Sequence, residues 1–72
     1  MSPGYILVVD DEADIRRLIE EILVDEGYRV ITADGADAAR ACVRRERPSL
    51  VLLDIWMPGE DGLSLLKSWA EP

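Results

Sequence analysis

Two short apolar runs, each ending in acid, constrain this chain more than anything else in it. Tyr5-Ile6-Leu7-Val8-Val9 contains no charged residue and is followed by Asp10 and Asp11, and Leu50-Val51-Leu52-Leu53 is followed by Asp54. A strand with water on one face alternates apolar and polar residues, whereas a strand covered on both faces has no need to. The runs therefore read as buried strands of a parallel sheet flanked by helices. Open α/β sheets bind their ligands at the carboxyl ends of the strands. Side by side, the two runs would crowd three carboxylates together at that edge.

The intervening segments carry helix and edge-strand signals. Ile15, Leu18, Ile19, Ile22 and Leu23 recur at i, i+3, i+4, i+7 and i+8, with charged residues between them, which predicts a helix over 13–26. Asp11 or Glu12 begins it, Asp14 in the first turn suits the helix dipole, and Gly27 supplies a left-handed stop. Over 28–33, Tyr28, Val30 and Thr32 oppose Arg29, Ile31 and Ala33, which predicts a strand with one less protected face, at a sheet edge. After Asp34-Gly35, a second helix over 36–47 presents Ala38, Ala39, Cys42 and Val43 as a small-residue face before Pro48 blocks continuation. A third strand over 50–54 and a third helix over 62–70, with Leu65, Leu66 and Trp69 on one side, complete three successive βα units.

Composition narrows the function classes. A hydrophobic content of 49% argues against disorder, yet 72 residues bury little surface, so stability is marginal without staples or partners. The single cysteine, Cys42, excludes an intrachain disulfide, and the absence of histidine argues against a zinc site of the usual kind. No activating basic neighbour is evident on the helix face of Cys42, so it reads as a packing residue. A net charge of −7, from 15 acidic against 8 basic residues, disfavours direct nucleic-acid binding. Met1-Ser2-Pro3-Gly4 has neither the basic segment nor the apolar core of a signal peptide, and the apolar runs fall far short of the ~18 residues of a membrane span. The expectation is a cytoplasmic protein without a membrane partner.

Asp10-Asp11-Glu12 after the first strand, the isolated Asp54, and the stretch Asp54-Ile55-Trp56-Met57-Pro58-Gly59-Glu60-Asp61-Gly62 occur together and in order. In this the chain resembles, from about Tyr5 to its end, the receiver domain of bacterial two-component response regulators. The resemblance implies a flavodoxin-like α/β fold with parallel sheet order 2-1-3, strand 1 being central. It implies a Mg2+ site in which Asp11 and Asp54 coordinate the ion, Asp10 acts directly or through water, and the backbone carbonyl of Trp56 completes the protein ligands. It also implies that Asp54 is the phosphoacceptor, taking a phosphoryl group from a histidine kinase or a small phosphodonor, in an acceptor module rather than an enzyme. The family's later motifs, a Ser or Thr ending a fourth strand and a Lys ending a fifth, have no counterpart here, the one lysine being Lys67 in the third helical segment. Residues 1–72 are thus expected to form a receiver truncated after its third βα unit, with impaired phosphorylation.

Other readings fare less well. Asp10, Glu12, Asp14 and Glu21 mimic positions 1, 3, 5 and 12 of a calcium-binding loop, but Ile15 stands where that loop requires glycine. An Asp-x-Asp phosphatase signature fails because the residue two after Asp10 is Glu12. The alternative of a different class is a noncatalytic, self-associating half-receiver. An uncovered edge of strand 3, the apolar stripe of helix 1 and the apolar side of helix 3 would favour a homodimer in which strand 3 pairs with its mate, giving sheet order 2-1-3-3′-1′-2′.

Overall fold

The computed structural model describes residues 4–54 and Lys67. Trp56, the Met57-Pro58-Gly59 turn and the expected third helix lie outside the described residues, except that Lys67 is helical and exposed. The elements are β1 (Ile6–Val9), α1 (Ala13–Asp25), β2 (Val30–Ala33), α2 (Ala36–Arg45) and β3 (Leu50–Leu53). The three strands are parallel in the order β2-β1-β3. Ile6 stands level with Val30 and Leu50, and Val9 with Ala33 and Leu53. β1 is central and buried at every position, which is why its sequence has no polar alternation.

Strand geometry sends successive side chains to opposite faces. Tyr5, Leu7 and Val9 join Ala33 and Ala39 in one buried cluster, with Ile31, Val51, Leu53, Ala36, Ala38, Cys42 and Val43 packed against it. This face belongs to α2, whose small residues let the helix approach the sheet closely. Ile6 and Val8 occupy the opposite face, toward α1, where Ile19 and Leu23 are only partly buried and no α1 residue is fully buried.

The end of α1 follows local chemistry, and that of α2 follows local and distant partners together. Gly27, at φ 95°, closes α1: its N–H donates to the Val24 carbonyl (3.0 Å) and the Tyr28 N–H to the Leu23 carbonyl (3.1 Å), the paired bonds of a Schellman stop. That stop occupies Tyr28, so β2 begins at Val30 rather than at 28 as the alternation suggested. α2 ends at Arg45, two residues before the expected limit, and Glu46 is extended at φ −158°. Two causes act there. Pro48 biases the residue before it away from helical geometry, and the Tyr5 hydroxyl donates to the Glu46 carbonyl at 2.6 Å and to the Cys42 carbonyl at 3.3 Å. Arg29 meets the Glu46 carboxylate through both guanidinium nitrogens (3.0 and 3.1 Å) and lies 5.4 Å from the centroid of the Tyr5 ring. Burial pushes the Tyr5 phenol above its usual range, and the neighbouring Cys42 and Glu46 add to the shift.

Candidate functional site

The strand ladder itself builds the site. The Asp54 N–H donates to the Val9 carbonyl at 2.9 Å, and the Asp10 N–H to the Ala33 carbonyl at 3.2 Å, so hydrogen bonding continues one residue past each strand. Because Val9 is level with Leu53, this continuation brings Asp10 and Asp54 side by side at the carboxyl edge. Asp11 follows in the connection to α1. One carboxylate oxygen from each of Asp10, Asp11 and Asp54 lies within 4.8 Å of the others. Asp10 and Asp54 are half-buried and Asp11 is exposed.

Magnesium takes oxygen ligands at about 2.0–2.1 Å in octahedral geometry, so two opposed ligands stand about 4.2 Å apart. The three oxygens, within 4.8 Å of one another, would have to draw together or bind partly through water to share one ion, since adjacent ligands of an octahedron stand about 2.9 Å apart. Three like charges this close repel, and a divalent cation relieves the repulsion. The donor set is all oxygen, as a hard cation prefers. The residues therefore fit the group that the sequence suggested. Trp56, the fourth expected ligand, lies outside the described residues.

Asp10 has a second task. Its Oδ1 accepts the Glu12 N–H at 2.9 Å, so the turn into α1 is held from Asp10, while Glu12, the residue preceding the helix, makes no side-chain capping bond. The expected helix-start role of Asp11 or Glu12 thus falls in part to Asp10. Sequence reading also missed Arg16, whose Nη1 donates to the Asp10 main-chain carbonyl at 2.7 Å. Its signal was available: Arg16 lies three residues before Ile19 and seven before Leu23, on the arc of α1 that meets the sheet, where a charged residue needs a partner. A groove of about 400 Å3 beside the carboxylates is lined by Val8, Val9, Ile19, Leu52, Leu53, Asp10 and Asp54. No described helix is long and apolar enough to cross a membrane.

Known proteins share this fold. Residues 6–71 match the family described as response regulator receiver domain. The chain is 54% identical over 63 residues to the nitrogen assimilation regulatory protein NtrX of Azorhizobium caulinodans, covering 85% of this chain and 14% of that protein. It is 47% identical over 67 residues to sporulation initiation phosphotransferase F of Bacillus subtilis, covering 93% of this chain and 54% of that protein. Among solved structures, the response regulator protein TrrA of Thermotoga maritima, in complex with Mg(2+)-BeF, superposes with a TM-score of 0.84 at 43% identity, covering 90% of this chain and 56% of that one. The chain spans from about a seventh to about half the length of these curated relatives. Since the family match takes in all five described elements and the three aspartates at their edge, this chain belongs to the response regulator receiver domain family.

Proposed function

We propose that this chain is a phosphoacceptor module of two-component signal transduction, acting in the cytoplasm, with Asp54 as the residue phosphorylated. The convergence of Asp10, Asp11 and Asp54 within 4.8 Å at the sheet edge carries the reading. Asp11 and Asp54 would hold Mg2+, with Asp10 binding directly or through water and the Trp56 carbonyl as a further ligand. A bound ion would supply charge neutralisation at the phosphoryl oxygens, which together with positioning is what phosphoryl transfer asks of a protein. The chain's own part is positional. β1 and β3 set Asp10 and Asp54 level, and the Asp54 carboxylate oxygen forms the new bond to phosphorus while the bond to the donor, a phosphohistidine of a kinase or a small acyl phosphate, breaks. The relative from Bacillus subtilis is named a phosphotransferase and the Thermotoga structure contains Mg(2+)-BeF, both in keeping with this chemistry.

The test is intact-mass analysis after incubation with acetyl phosphate and Mg2+. One phosphoryl group, labile to base and lost in Asp54→Ala, is expected at low yield, because the one lysine, Lys67, is exposed on a helical residue. Labelling that survives Asp54→Ala would sink the assignment.

A second reading is favoured by one observation. Leu50 (52%) and Leu52 (36%) are exposed on the α1 side of β3, Ile15, Leu18 and Ile22 of α1 are exposed as well, and among the described residues β3 pairs with β1 alone. In this reading the chain is a noncatalytic self-associating module, with a homodimer joined along β3. Sedimentation equilibrium at low micromolar concentration should then give about twice 8.0 kDa, and Leu52→Lys should reduce it. A well-dispersed monomer at that concentration removes this reading, and a response to Mg2+ with fluoroberyllate separates the first reading from it.

A further inference from the structure

Arg16 holds a carbonyl in a place where carboxylates abound. Its Nη1 donates to the Asp10 main-chain oxygen at 2.7 Å, and the residue is half-buried. Among the described residues no ion pair joins it to Asp10 or Asp11. A guanidinium near several acids ordinarily takes a carboxylate in its planar fork. Here the bond runs to the main chain of one of those acidic residues. It also ties the end of β1 to α1 across six residues, whereas the other bond at this turn, from the Glu12 N–H to Asp10 Oδ1, spans two.

We propose that Arg16 is a positioning residue of the acidic pocket: it fixes the Asp10 peptide, and with it the 10–12 connection bearing Asp11, in the geometry that accepts a divalent cation. The proposal rests on the metal reading above. Mutual repulsion of three carboxylates tends to open this connection, and a bond anchored in the helix opposes the opening. Arg16 also carries positive charge, which repels an incoming cation, so its two effects have opposite signs. If charge were its main contribution, removing it would tighten metal binding; if position is, removal loosens it. Outer-shell partners that orient a ligand ordinarily cost roughly 10- to 100-fold in metal affinity when lost. A partner acting through the main chain belongs at the lower end of that range.

The experiment titrates MgCl2 into the full chain, followed by tryptophan fluorescence, with circular dichroism confirming that each protein is folded at the titration temperature. Arg16→Gln should weaken Mg2+ binding roughly tenfold, and Arg16→Lys, which keeps the charge on a shorter, single-headed side chain, should weaken it by a smaller factor. A purely structural role would lower the melting temperature of both variants and leave the affinity of the folded protein unchanged. Unchanged or tighter binding by Arg16→Gln overturns the proposal. Should Arg16→Gln not fold, Arg16→Lys decides in the same way. Asp54→Asn runs in parallel: if the parent chain and Asp54→Asn respond alike to Mg2+, or neither responds, the metal reading fails and the proposal falls with it. If the parent binds and Asp54→Asn does not, an unchanged Arg16→Gln counts against Arg16 alone.

Discussion

The two faces of the sheet solve the same problem to different degrees. On the α2 side, Tyr5, Leu7, Val9, Ala33 and Ala39 form a closed cluster. On the α1 side, Ile6 and Val8 are covered, but Leu50, Leu52 and the outer stripe of α1 stay in water. Side-chain size explains part of the contrast. Ala36, Ala38, Ala39 and Cys42 let α2 settle close to the strands, whereas the stripe of α1 is broad, and Ile19 and Leu23 are only partly buried. Ile15, Leu18 and Ile22 lie on the same helix but are exposed. One face supplies stability, and the other has surface to offer.

Substitutions on opposite faces should therefore differ most. Leu7→Ala, at a position with 0% exposure, is expected to cost about 2–5 kcal/mol. In so small a domain that approaches the whole stability, so loss of the cooperative urea transition is the anticipated result. A Leu7→Ala protein that unfolds at the parent's midpoint would show that the α2 face is not the core.

The acidic edge belongs to both faces, since Asp10 and Asp54 extend β1 and β3 while Asp11 leads into α1. Adding Mg2+ to ten times its dissociation constant should raise unfolding free energy by about 1.4 kcal/mol. The gain should vanish in Asp54→Asn and on adding EDTA. Equal stabilisation of the variant would place the ion elsewhere.

Tyr5→Phe probes the seam between the core face and the C-terminal end of α2. Losing the hydroxyl that donates to the Glu46 carbonyl should cost about 1 kcal/mol at neutral pH. The pH dependence gives a sign. With the folded pKa raised, the neutral phenol's contribution is complete below the ordinary value near 10 and is lost as pH rises through the folded value. Urea midpoints of the parent and Tyr5→Phe should therefore converge at strongly alkaline pH, and a constant gap across that range would argue against the buried hydroxyl. The smallest effect is expected at Leu18→Gln, on the exposed stripe of α1, within about 0.5 kcal/mol for the isolated chain. A larger loss, growing with protein concentration, would mean that the open face is occupied by another copy.

Much of the fold was legible in residues. The uninterrupted Tyr5 to Val9 run marked a strand covered twice over, Gly27 marked the end of α1 through its need for positive φ, and the acids after each run marked the edge where a site would form. Boundaries were less legible where distant residues set them. α2 stops at Arg45 partly because Tyr5, 41 residues from Glu46, reaches the Glu46 carbonyl. No local pattern records that bond.

Strand identity, helix faces and the presence of three carboxylates follow from periodicity and spacing, because these depend on neighbours in the chain. What the tertiary arrangement added depends on partners far apart in it: the level placement of Asp10 and Asp54 by the β1–β3 ladder, the bond from Tyr5 to the end of α2, and the division of the described residues into a closed face and an open one. Periodicity gives a helix its apolar stripe, but the helix's rotation and lateral position over the sheet determine how much of that stripe is buried, and those are set by the side chains it meets there.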